Sequence, residues 1–102
     1  MKFMVRWIER AYGTTAAYEE AQSRIVGMMQ HWQPPNNVTF HQFVVVAGNY
    51  RGYAVVETDD LAAIHQLTST FAVFDFVVEP VLDVGDALHA EAAAIEWRAS
   101  IR

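Results

Sequence analysis

Four histidines are the side chains of this sequence best suited to proton transfer or metal binding. They are His31, His41, His65 and His89. Imidazole titrates near neutral pH and is a common metal ligand. No two of these histidines stand at the spacing of a zinc motif, and no HExxH string occurs, so we predict no metal site. His65 and His41 are kept as candidates for acid–base or ligand-contacting roles.

Arg6 and three later carboxylates form a second candidate group. Glu57, Asp75 and Glu79 lie in or at the ends of predicted strands, and the first strand, with Arg6, is expected between the third and fourth. Arg6 can therefore pair with one of them, and a buried pair would either specify strand pairing or bind an acidic ligand group. Carboxylates that cluster without the arginine would instead offer a general acid or base. Arg6 and Glu79 join the two histidines as catalytic candidates.

Composition narrows the class of protein. The chain has 102 residues, of which 53% are hydrophobic, and this predicts one domain spanning residues 1–102. Its formal net charge of −5 argues against nucleic acid as a partner. Cysteine is absent, and no stretch resembles a signal peptide, a membrane span or a phosphate-binding glycine loop. We expect a cytoplasmic protein without membrane or nucleotide partners.

Hydrophobic periodicity and turn residues predict the elements that would position these side chains. The order strand-helix-strand-strand-helix-strand, followed by a terminal helix, is that of a ferredoxin-like α+β fold. Right-handed crossovers give an antiparallel four-stranded sheet of order 4-1-3-2 with both long helices on one face. Predicted strands are Phe3–Ile8, Val38–Ala47, Tyr53–Glu57 and Val73–Val81, and the helices start at Thr14 or Thr15, at Thr58 or Asp59, and at Asp86.

Three local details complete this prediction. Gly48 and Gly52 are expected to supply positive φ in the turn between the second and third strands. Pro80 favours an edge position for the last strand, because proline cannot donate to a ladder. The second helix is expected to face the sheet with a stripe that places His65 between helix and sheet. That stripe is Leu61, Ile64, His65, Thr68 and Phe71.

The strands are too apolar for a sheet with one face in water. The runs Phe43–Ala47 and Phe76–Val78 are apolar at successive positions, so both faces of the sheet require cover, although the two helices can cover only one. A second copy of the same sheet would supply the cover and predicts a homodimer through the sheet faces. The alternative is that the terminal helix folds back over that face. Trp97, opposite the apolar stripe of that helix, suits an intersubunit contact.

Three stretches carry a resemblance to a known family. MKFMVRWIE, AVVETDD and FDFVVEPVLD resemble a small bacterial family of unknown function in the dimeric α+β barrel superfamily, over the chain up to about Asp83. The resemblance implies a ferredoxin-like fold paired into a homodimeric barrel. The wider superfamily includes cofactor-independent monooxygenases, haem-degrading enzymes, lactone isomerases and stress-response proteins. The haem-degrading members place an amide residue on the first strand, where this chain has Arg6, and no cofactor is predicted.

These observations lead to three functional hypotheses. The first is a homodimer that binds a small apolar or aromatic molecule between helices and sheet, with His65, Arg6, Trp7 and Phe43 as ligand-binding residues. The second is an enzyme of the cofactor-independent monooxygenase or isomerase type. The third is a structural interaction module. A cavity of a few hundred Å³ with His65 and Arg6 in its wall would favour the first two, and a filled cleft would favour the third.

Overall fold

The computed structural model describes residues 1–101, which form four strands and three helices in the predicted order. The four strands form one antiparallel sheet of order β2-β3-β1-β4, so the predicted ferredoxin-like topology is confirmed. Pro80 lies in the edge strand β4, as expected. The elements are β1 (Lys2–Glu9), α1 (Thr15–His31), β2 (Thr39–Val45), β3 (Arg51–Glu57), α2 (Leu61–Thr70), β4 (Phe74–Val81) and α3 (Val84–Ser100).

The two faces of the sheet differ because successive strand residues point to opposite sides. We call the side against α1 and α2 the covered face; β1 contributes Phe3, Val5 and Trp7 to it. The other side is the open face, to which β1 contributes its even-numbered residues from Lys2 to Ile8. Register shifts between Phe40 and Gln42 of β2, which makes His41 the extra residue of a bulge.

The tightest packing lies between α2 and the central strands. Val5 and Val56 are 1% and 0% exposed, and Ala63, Ile64 and Leu67 of α2 are buried. The predicted stripe of α2 was wrong in part, because Leu61 and His65 are exposed. The helix is rotated so that the small side chain of Ala63, and not the larger Leu61, meets the sheet.

Side-chain caps define where the first two helices begin. Thr14 Oγ1 accepts a hydrogen bond from the Ala17 amide at 3.1 Å, in agreement with one predicted cap. The cap of α2 was predicted one or two residues too early: Asp60 is the capping residue, and its Oδ1 accepts from the Ala62 amide at 2.9 Å. Thr58 Oγ1 in turn accepts from the Asp60 amide, which fixes the turn before the helix.

The two glycines near the β2–β3 turn have different roles. Gly48 adopts φ +80°, the left-handed conformation that was expected of both. Gly52 does not; it lies in β3 on the covered face. A Cβ at Gly52 would overlap the Trp7 indole and lie 2.5 Å from the Val44 carbonyl oxygen. The absent side chain therefore lets the Trp7 indole pack directly against the β3 backbone.

Helix α3 leaves the sheet and buries none of its residues. The radius of gyration is 18.5 Å and the longest dimension 66 Å, whereas about 13 Å is usual for a compact domain of this length. The alternative in which the terminal helix folds back over the open face is therefore wrong for the single chain. Across residues 1–101, no helix is both long and apolar enough to cross a membrane.

Candidate functional site

A cavity of about 320 Å³ lies between the covered face and the helices α1 and α2. Its floor is formed by the strands, with Val5 and Ala54 at the centre, and Ile25 and Met29 of α1 contribute to its cover. Most of the remaining wall is aromatic. The aromatic residues are Trp7, Trp32, Phe40, Phe43, Tyr50, Phe71, Phe74 and Phe76. Such a volume, with walls that are largely apolar, is within the range of small-molecule sites.

The rings of the cavity wall pack mostly edge to face. The Trp7 and Phe43 centroids are 5.4 Å apart at an interplanar angle of 76°, and Trp32 meets Phe71 at 5.0 Å and 81°. Phe40 stacks on Phe43 at 5.4 Å. Edge-to-face contacts hold each ring in one orientation, and rings in such contacts leave parts of their faces available to a ligand. The wall is suited to a flat, apolar guest.

The cavity exists because α1 and α2 pack against the sheet differently. Helix α2 buries three residues on the sheet, whereas α1 buries none along its 17 residues. Helix α1 reaches the covered face through long side chains, with Ile25, Met29 and Trp32 at the cavity. The small side chain of Ala54, opposite them in β3, leaves the space between helix and strand unfilled.

Polar groups reach the cavity from one place, the β2–β3 turn. Asn49, Tyr50 and Arg51 border it there, and Asn49 Oδ1 accepts a hydrogen bond from the Tyr50 amide at 2.8 Å. Arg51 is in register with Ile8 on the open face, so alternation along β3 directs its side chain away from the cavity. Among the described residues that line the cavity there is no histidine and no carboxylate.

The predicted ligand-binding residues divide between the two sides of the molecule. Trp7 and Phe43 line the cavity. His65 is exposed on the outer side of α2, so its expected position between helix and sheet was wrong. Arg6 lies on the open face, where Nη2 donates to Glu79 Oε1 at 2.9 Å. The structure therefore does not bring Arg6 and His65 together.

The three strand carboxylates each have a separate cationic or histidine partner. Arg6 forms an ion pair with Glu79, and Arg10 Nη1 lies 3.1 Å from Asp75 Oδ1. Glu57 Oε1 lies 2.7 Å from Nε2 of His41, the bulge residue. The alternative of a carboxylate cluster is wrong, and so is the burial expected for the arginine pair, because the Arg6 and Glu79 side chains are 49% and 54% exposed.

The open face has a smaller groove of about 170 Å³. Arg6, Ile8 and Tyr53 line it together with Asp75 and Val77. Its lining combines charged and exposed apolar side chains, unlike the aromatic wall of the cavity. Within residues 1–101, no group of three or more metal-binding side chains comes together.

Two tyrosines mark the edges of the covered side. Tyr12 Oη donates a hydrogen bond to the Val73 carbonyl at 2.9 Å, and burial raises the pKa of this phenol above its usual value. The Tyr12 ring also meets Tyr18 of α1 edge to face at 5.1 Å. These contacts attach the beginning of α1 to the end of the sheet next to β4. Their role is structural, because they lie away from the cavity.

The site prediction missed the contributions of both helices. Ile25 and Met29 of α1 and Trp32, the residue that follows the helix, recur at helical spacing, and that spacing was the available signal. Phe71 and Leu67 could have been found from the spacing of apolar residues on α2. Arg6 and His65 were predicted from the chemistry of their side chains, which does not determine the face of the sheet or helix on which they lie.

Comparison with known proteins gives a family and no activity. Residues 1–95 match a domain of unknown function, DUF3303. The chain belongs to this family, in agreement with the resemblance to a family of unknown function. No curated protein matches the chain.

Proposed function

We propose that this DUF3303 protein binds a small apolar or aromatic molecule in the cavity between its helices and sheet, and acts as a homodimer joined through the open faces. The observation that carries the binding function is the cavity itself: about 320 Å³, open to solvent on one side and lined by aromatic and aliphatic side chains from the four strands, α1 and α2. Burying a planar apolar ligand against those rings removes apolar surface from water on both partners.

The character of the wall favours binding over acid–base catalysis. A cofactor-independent monooxygenase or isomerase needs a proton acceptor or donor within hydrogen-bond reach of its substrate. His41, His65, Arg6 and Glu79, the candidates for that role, lie outside the cavity lining. The polar groups at the β2–β3 turn can orient a ligand, and Tyr50 is the one titratable side chain among them that belongs to the covered side.

Support for the homodimer comes from the open face. Ile8 is 50% exposed and Val77 48%, and Val44 and Tyr53 are also exposed beside them. Arg6 is already paired with Glu79 and Glu57 with His41, so covering these four side chains would not leave single charges without partners. Arg51 on the same face has no ion pair within residues 1–101 and would need a partner from the second copy. A second open face offers matching apolar and paired polar groups, as a two-fold interface requires.

Ligand binding can be tested with the neutral fluorophore N-phenyl-1-naphthylamine, whose emission rises in an apolar site. We expect one probe per chain. Val45→Trp should weaken its affinity at least tenfold, because Val45 lines the cavity and is 72% exposed, so a larger side chain can fill the entrance without disturbing the core. Val26→Trp is the matched control, because Val26 of α1 is 52% exposed and does not line the cavity. Absence of probe binding, or equal affinities in the two variants, would contradict the proposal.

Dimerisation can be tested by light scattering at micromolar concentration. We expect at least twice the chain mass of 11.5 kDa. Val77→Lys should lower the mass, because it places an unpaired cation in the proposed interface. Val26→Lys on α1 is the matched control, since Val26 has nearly the same exposure, 52%, and lies outside the sheet. A monomeric wild-type protein would refute the proposed pairing.

A further inference from the structure

Helix α3 is apolar around most of its circumference, although none of its residues is buried. At about 100° per residue, Val84, Leu88 and Ile95 project in one sector and Trp97 and Ile101 in a second. All five are more than half exposed. The polar residues Asp86, His89, Glu96 and Ser100 share the remaining side. A helix with this pattern is normally buried on more than one side.

Two opposite charges lie between the two apolar sectors. Glu91 and Arg98 are seven residues apart, so they share one line along the helix at the centre of its apolar side. Their separation along the axis is about 10.5 Å, which is too far for a direct pair within one helix. No ion pair joins either residue to another within residues 1–101.

The connection from β4 directs α3 away from its own domain. Only Leu82 and Asp83 separate the strand from the helix. Lys2 Nζ donates to Asp83 Oδ1 at 2.8 Å, which ties the start of the helix to β1. The rest of the chain therefore leaves the apolar side of α3 open to another molecule.

We propose that this molecule is a second copy of the chain, and that two α3 helices pack antiparallel around a two-fold axis near Ala94 and Ile95. In that arrangement Glu91 of each copy faces Arg98 of the other, and the contact occurs twice. Leu88 and Ile101 lie on opposite copies at the same level on either side of the axis. The single line of charge that disrupts the apolar side of one helix becomes two ion pairs between helices.

The charges on α3 disfavour other binding partners for its apolar side. An anionic lipid surface is a poor match, since α3 carries Asp86, Glu91 and Glu96 against Arg98. A purely apolar groove would bury Glu91 and Arg98 without partners, at a high cost in free energy. A parallel pair in register would place each of these charges against its own kind. The antiparallel pair gives Glu91 and Arg98 each a partner of opposite charge.

This contact is separate from the pairing of open faces. Its axis lies about 16 Å beyond the start of α3, given a rise of about 1.5 Å per residue. It therefore differs from an axis that relates two facing sheets, and the two contacts together build an assembly larger than a dimer. The α3 contact does not depend on the proposed ligand or on the sheet interface.

Charge reversal tests the pairing by sedimentation at several concentrations. Glu91→Arg and Arg98→Glu should each lower the average mass and weaken association at least tenfold, because each converts both ion pairs into repulsive contacts. The double variant should restore the wild-type mass, as should mixing the two single variants. Glu96→Arg makes the same charge change on the polar side and should have no effect. Circular dichroism shows whether each variant is folded.

Single cysteines test the direction of the helices, since the chain contains no cysteine of its own. Ala94→Cys places two thiols next to the axis and should give a disulfide-linked dimer on mild oxidation. Ala87→Cys is the matched control, because its two copies would be separated by about 22 Å along the helices. Cross-linking of both variants would indicate a parallel pair and overturn the proposal, as would cross-linking of neither or failure of the double charge reversal to restore association.

The mass also separates this inference from the proposed sheet interface. Glu91→Arg should leave a dimer if the open faces pair, and a monomer if they do not. Val77→Lys should leave the α3-paired dimer intact. Equal masses for the wild type and Glu91→Arg would refute the α3 contact while leaving the sheet interface and the ligand cavity unaffected.

Discussion

The two faces of the sheet are built from the same strands but have different environments. The covered face is apolar and largely aromatic. Between it and the helices lie a close-packed core under α2 and an unfilled cavity under α1. The open face alternates exposed apolar side chains with ion pairs such as Arg6–Glu79. Residues one position apart along a strand therefore belong to different environments, and their position decides whether they can act on a ligand or on a partner.

The largest expected effect is at the point where the covered face is most crowded. Gly52→Ala should destabilise the fold by about 3 kcal/mol or more, because the new Cβ overlaps the Trp7 indole and the Val44 backbone, which cannot move away as a flexible side chain could. Urea denaturation measures the change. Gly27→Ala is the control, since a Cβ there meets no atom within 4 Å and should stabilise α1 slightly. A neutral Gly52→Ala would show that Trp7 is not held against the strand.

The sequence predicted the fold well because strand order follows from element order and crossover handedness. The order of the elements could be predicted from the apolar runs of β1 and β4 and from the turn residues between β2 and β3. The cavity was not predictable in the same way, because it depends on how far α1 stands from the sheet. The predicted position of His65 was wrong because the predicted stripe of α2 began at the larger apolar residue Leu61. In the structure Ala63 is buried against the sheet and Leu61 is exposed, which turns His65 outward.

A pair of identical substitutions compares the faces directly. Val56→Ala should cost about 2 kcal/mol of folding free energy, since two buried methyl groups are lost and a small cavity remains. Val77→Ala, on the open face, should cost less than about 0.5 kcal/mol in the isolated chain. Any further cost at Val77 should depend on protein concentration, because it would come from association. Equal, concentration-independent costs would contradict the distinction between the faces.

The ion pairs of the open face should contribute little to the stability of the single chain. Arg6→Gln is expected to cost less than about 1 kcal/mol, since the Arg6 and Glu79 side chains are each about half exposed. The measurement is again urea denaturation, at low protein concentration. A cost of about 3 kcal/mol or more would mean that the pair is desolvated, and hence that another surface covers it.

The smallest effect is expected at Lys2, where the open face meets α3. The hydrogen bond to Asp83 raises the pKa of this ammonium above its usual 10.5, with smaller contributions from nearby carboxylates. Because the folded value is the higher one, the pair stabilises the fold fully below pH 10.5 and loses that effect as the pH rises through the raised value. Lys2 is the one lysine in the sequence, so a single side-chain NMR titration follows it. Asp83→Asn should move the midpoint down towards 10.5; an unchanged midpoint would show that Asp83 does not hold Lys2.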